Sequence, residues 1–116
     1  MKHSGKRKKK SEAKKALERL WIATRLKALE RDDNKCVICG STNRTNVHHI
    51  LEKKHYTEYK YDIDNLICLC PLHHAYGKLS AHKNGIWFFH WLLNNRPKQL
   101  NIALERIKKD IENQNV

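Results

Sequence analysis

The sequence predicts a single α+β domain, on three observations. Residues 12–31 and 97–113 repeat apolar side chains at helical spacing. Two short runs, "TNVHHI" at 45–50 and "DNLICLC" at 64–70, read as β-strands. Two half-sites, Cys36-x2-Cys39 and Cys70-x2-His73, lie one before the first run and one at the end of the second.

The bulk properties set bounds on that domain. A chain of 116 residues supports one modest core, and no internal repeat or linker divides it, so residues 11–116 are read as one unit behind a basic arm at 1–10. Lys and Arg number 24 against 12 Asp and Glu, a formal net charge of +12, which points to a polyanionic partner. A membrane is not that partner. The most apolar stretch, "GIWFFHWLL" at 85–93, is far short of the ~20 residues that span a bilayer. The basic N-terminus is followed by no apolar signal core, so a cytoplasmic location is expected. In that reducing compartment four cysteines read as metal ligands rather than disulfides.

The elements follow in order. Residues 1–10 hold six Lys or Arg and no acid, a charged arm suited to phosphates through Lys8, Lys9 and Lys10. Ser11 can cap a helix over 12–31. Its apolar face joins Leu17, Leu20, Trp21, Thr24 and Ala28, with Ile22, Leu26 and Leu29 beside them and Trp21 read as core. Arg25 belongs to its basic side. The loop at 51–62 is rich in Lys and Tyr and offers Lys53 and Lys54. Pro71 opens a short helical stretch through "LHHAYGKL". Residues 84–93 predict a buried second helix, and Pro97 suits the first turn of a third, in which Leu100, Ala103, Leu104, Ile107 and Ile111 share one face.

Cys36-x2-Cys39 followed by Gly40 is a knuckle that brings two thiolates to one point. With Cys70 and His73 it makes a tetrahedral Cys3His set, which leaves no open position and so suits a structural Zn²⁺. Two alternatives sit beside it. Cys68 is read as a small buried apolar residue rather than a ligand, and His74 competes with His73 for the metal, the two-residue spacing selecting His73.

With the zinc half-sites in place, "NVHHI … DNLICLCPLHH … SAH" resembles the HNH motif of the His-Me finger (ββα-metal) endonucleases, in particular the zinc-containing phage and bacterial type. The resemblance covers about residues 36–82, and extends to the upstream "RD" at 31–32. The family's usual fourth zinc ligand is Cys, where this chain has His73. The resemblance implies a ββα-metal core over about 34–82, flanked by an N-terminal helix and two C-terminal helices. It implies His49 as general base, His48 and His74 as ligands of a catalytic divalent ion (Mg²⁺, Mn²⁺ or Ni²⁺), and Asn65 as the residue that holds the loop and orients the base. His82 can complete that metal site if the chain after His74 turns back. Strand alternation points His48 and His49 apart, so a bulge or a twisted strand end is expected to bring both to one phosphate. His55 is read as a phosphate or solvent contact, His90 as lying in or beside the core, and His3 as part of the arm.

The activity so implied is metal-dependent hydrolysis of DNA with weak sequence specificity. A phage origin, with a packaging terminase as partner, is implied by resemblance alone, and a monomer or homodimer is equally compatible. The competing reading is a zinc-stabilised DNA-binding or packaging accessory protein without catalysis.

Overall fold

A computed structural model describes residues 9–114, so His3, Lys8 and most of the basic arm lie outside the described residues. The chain runs α1 (Glu12–Arg31), β1 (Asn46–His49), β2 (Leu66–Leu69), α2 (Gly85–Asn95) and α3 (Pro97–Gln114). Between the strands lie two single turns of 3-10 helix, Thr57–Tyr59 and Ile63–Asn65, and after β2 comes a π-type turn, Leu72–Tyr76. The expected α+β class, with an N-terminal helix, a small two-stranded sheet and two C-terminal helices, is the one observed. No helix among the described residues is long and apolar enough to cross a membrane.

Each helix begins as its sequence dictates. Ser11 Oγ accepts the Lys14 amide hydrogen at 3.1 Å, and Asn84 Oδ1 accepts that of Trp87 at 3.2 Å; both satisfy amides the first turn leaves free. The strands pair antiparallel in regular register, Asn46 with Leu69, Val47 with Cys68, His48 with Ile67 and His49 with Leu66. All four residues of β2 are buried. That burial explains why "LICL" is continuously apolar, since the sheet is covered on both faces. Ala28 and Leu29 of α1 pack on Val47, Leu66 and Cys68. Phe88, Leu92 and Leu100 pack on Ile67, Leu69, Cys36 and Cys70.

The apolar face drawn for α1 is only partly used. Thr24, Ala28 and Leu29 are buried, whereas Leu17, Leu20, Ile22 and Leu26 are about half exposed: the short sheet does not reach Leu17 and Leu20, and Ile22 and Leu26 fall on the side opposite Thr24. The second helix is likewise not buried all round. Phe88 and Leu92 face inward, but Ile86 is 88% exposed, and His90 is exposed rather than in or beside the core.

One charged node holds the layers together. Asp32, whose side chain is fully buried, receives Arg31 through Nε at 3.0 Å and Nη2 at 2.8 Å, and Arg96 through Nη2 at 3.0 Å. The Cys68 amide donates to the same carboxylate at 3.2 Å. Arg31 and Gln99 both donate to the Leu66 carbonyl, so the node joins α1, β2 and the start of α3. Burial raises the Asp32 pKa, but hydrogen bonds and charge from the two guanidiniums outweigh it and hold the carboxyl below its ordinary value.

Removing that carboxylate strands two guanidiniums, so Asp32→Ala should destabilise the domain by about 3 kcal/mol, read as a lower urea midpoint. A depressed folded pKa contributes stability that is complete above the unfolded value near ~4 and lost as pH falls through the folded one. The stability gap between wild type and Asp32→Asn should therefore narrow as the pH drops below about 4.

Candidate metal and catalytic site

The knuckle forms because Gly40, at φ +78°, supplies the left-handed turn, and its amide donates to the Cys36 carbonyl at 2.8 Å. Pro71 starts the turn that carries the other half. The two halves converge: Cys39 Sγ lies 3.7 Å from Cys70 Sγ, and His73 Nδ1 lies 3.3 Å from Cys70 Sγ and 3.8 Å from Cys36 Sγ. Ligand–ligand edges of roughly 3.8 Å are what a tetrahedron with ~2.3 Å Zn–S bonds requires, so the donor set fits zinc in both chemistry and size. Burial pushes the Cys36 thiol up, yet backbone amides of Cys70, Cys39 and Ile38 aimed at its sulfur bring the pKa below the ordinary value. His73 supplies the fourth donor, and His74 faces elsewhere. Cys68 stays outside the cluster, fully buried, its thiol donating to the Ala28 carbonyl at 3.5 Å and its pKa pushed up to about 12, chiefly by burial.

A second cluster joins His48, His74 and His82, each of which offers one ring nitrogen within 4.8 Å of the others. His82 returns because the chain doubles back after the π-type turn. The Ala81 amide donates to the His73 carbonyl at 2.8 Å and the His82 amide to the His74 carbonyl at 3.1 Å. Gly77 permits the tight bend, since a Cβ there would meet the Leu72 carbonyl oxygen at 2.8 Å. The helical stretch foreseen over 72–79 is thus a π-type turn ending at Tyr76.

Nε2 of His82 and Nε2 of His74 are 3.0 Å apart, about the separation of neighbouring ligands with ~2.1 Å bonds at an octahedral ion. His48 is set edge-on to Phe88 at 5.5 Å. Burial, followed by the neighbouring imidazoles, lowers its pKa to about 3. The ring is therefore neutral at neutral pH, the form that ligates.

His49 stands on the other face of β1. The ladder has no bulge: alternation holds, and His48 looks toward α2 while His49 looks toward α1. They meet in space because an open cleft of about 520 Å³ is lined by all four β1 residues, and so runs along the strand's unpaired edge. Trp21, Arg25, His74 and His82 also line it, with Lys53, Lys54 and the acidic Glu52. The expected bulge is replaced by an edge that both rings overhang.

His49 Nε2 lies 3.0 Å from the Lys60 carbonyl oxygen. A carbonyl can only accept, so Nε2 carries the hydrogen and Nδ1 keeps its lone pair. Burial lowers its pKa; the Lys60 carbonyl opposes this, and the charges of Lys53 and Lys60 reinforce it.

Asn65, 1% exposed, clamps the intervening loop. Its Oδ1 accepts the Leu51 amide at 2.8 Å and its Nδ2 donates to the Leu51 carbonyl at 3.1 Å. Arg106 of α3 secures the same loop through Asp62 and by stacking over Tyr59.

The cationic residues named from sequence divide. Arg25, Lys53 and Lys54 line the cleft, whereas Lys10 pairs with Glu18 at 2.8 Å and Lys9 is exposed at the start of α1. His55 is exposed beside Glu52. Trp21, read as core, packs half-buried against the Ala28, Val47 and Leu66 cluster, and also stacks on His49 with ring centroids 5.3 Å apart and planes 19° apart. Nothing local marked it: the contact depends on where α1 docks, 28 residues earlier in the chain.

No curated protein and no solved structure matches the chain. Residues 36–75 match the family model of the HNH endonucleases. Over that segment, which contains the Cys3His cluster and two of the three gathered histidines, the chain is similar to the HNH endonuclease family.

Proposed function

We propose that the protein is a metal-dependent DNA endonuclease that hydrolyses phosphodiester bonds with His49 as general base. One observation carries this reading: a histidine with a free Nδ1 and a three-imidazole cluster line one cleft together with Arg25, Lys53 and Lys54. A divalent cation bound by His48, His74 and His82 would supply Lewis acidity at the phosphate and the leaving oxygen.

The chain's own groups do the rest. The Lys60 carbonyl fixes the His49 tautomer, so that Nδ1 can take the proton of an attacking water. Arg25, Lys53 and Lys54 neutralise phosphates along the cleft; such contacts hold the strand without reading its sequence. Weak sequence preference follows. An all-imidazole donor set suits Ni²⁺ better than the oxygen-seeking Mg²⁺.

Supercoiled plasmid incubated with the protein and Ni²⁺, Mn²⁺ or Mg²⁺ should be nicked, most strongly with Ni²⁺, and His74→Ala should lose the metal response. DNA that is bound but not nicked with any ion would instead support a zinc-stabilised binding module.

A further inference from the structure

Beside the cleft described above lies a second one, which shares Trp21, His49 and Lys53 with it. This second cleft measures about 570 Å³ and is lined by Leu17, Ile22, Tyr61, Lys14, Lys53 and Lys60, with Trp21 and His49 on its inner side. Trp21 meets Tyr61 at 6.5 Å with planes tilted by 58°, and the Lys60 ammonium lies 5.4 Å from the Tyr61 ring centre. Glu18 is the one acid in the lining, and Lys10 already pairs with it at 2.8 Å. Leu17 and Ile22 are 49% and 58% exposed, so their apolar surface is available.

Aromatic and apolar walls with a lysine rim fit a flat ring carried on an anion. Its size is within the usual range for a ligand site. The chain's own N-terminal residues 1–8 are an unsuitable occupant, since they carry four Lys or Arg and no acid and would be repelled by the rim. A nucleobase on its phosphodiester satisfies both demands. Bases in a duplex are stacked on each other, so only an unpaired base could enter.

We propose that this cleft holds one unpaired nucleotide of the substrate strand, its base against Tyr61 and Trp21 and its phosphates at Lys14, Lys53 and Lys60. The position beside His49 puts that nucleotide next to the bond to be cut, a point that rests on the nuclease reading. The protein then favours single-stranded or locally unpaired DNA over continuous duplex.

Binding is measured apart from cleavage, on the full zinc-loaded chain with no other divalent ion. A labelled oligonucleotide of about 12 nucleotides, within the range of one single-strand site, is compared by anisotropy with its duplex. Tyr61→Ala should weaken single-strand binding roughly tenfold, the loss expected of one base–aromatic stack, and shift duplex binding by less than about twofold. Leu17→Ser, at a half-exposed position whose folding is checked by its thermal transition, should act in the same direction. Binding should also quench tryptophan fluorescence in wild type and not in Trp21→Phe.

Equal weakening of single strand and duplex by both variants would overturn the proposal, as would unchanged binding of a fully abasic strand. Selective loss of single-strand binding in a protein that cuts nothing would uphold the cleft and remove the nuclease reading. Cleavage without that selectivity would do the reverse.

Discussion

A His49→Ala chain is expected to fold, retain zinc and bind DNA, yet to cleave about 10²–10⁴-fold more slowly than wild type, the usual contribution of a positioned general base. The effect should be confined to turnover. His49 is half-buried and its ring contributes mainly a stack on Trp21, a contact of about 1 kcal/mol, so the thermal transition should fall by only a few degrees. The Lys60 carbonyl would lose its partner but lies in a loop still held by Asn65 and Arg106. A plasmid-nicking time course, with DNA affinity measured in parallel, checks the prediction. A cleavage rate equal to wild type would remove His49 from the reaction.

Cys36→Ala should have the opposite profile and abolish the fold itself. The Cys36 sulfur joins two chain segments more than thirty residues apart, and the residue is 2% exposed within the core that Ile67, Leu69 and Phe88 form. Strands of four residues in a two-stranded sheet are not stable by themselves. Structural zinc supplies about 10–16 kcal/mol in finger peptides, as much as the ~5–15 kcal/mol total stability of an ordinary domain. Far-UV circular dichroism should show loss of the cooperative transition, and metal analysis should fall from about one Zn²⁺ per chain to none. A Cys36→Ala protein that melts like wild type and holds no metal would show that the cluster is not a folding element.

The helices and the zinc half-sites were legible because each is specified locally. Capping residues, helical periodicity and two-residue ligand gaps are all written within a few positions. What escaped was tertiary. The exposure of Leu17 and Leu20 depends on how far a short sheet extends under α1. Trp21 carries the same local signature whether it only fills a core or also stacks on His49. The return of His82 rests on two backbone hydrogen bonds and a glycine bend that no side-chain pattern announces. The "RD" pair was visible as a motif, but its work as a buried node required Arg96, 64 residues downstream of Asp32.

The two edges of the sheet are treated differently. On the outer edge of β2, the Asp32 carboxylate takes the Cys68 amide hydrogen and the Val37 amide caps the Cys68 carbonyl. The edge of β1 faces the cleft with no third strand on it, and its Val47 amide donates only to the neighbouring Asn46 side chain at 2.9 Å. An open edge invites a further strand to add to the sheet, and one laid there would seal His48 and His49 from solvent. Arg25, Lys53 and Lys54 around it discourage that pairing by a second, equally basic copy of this chain.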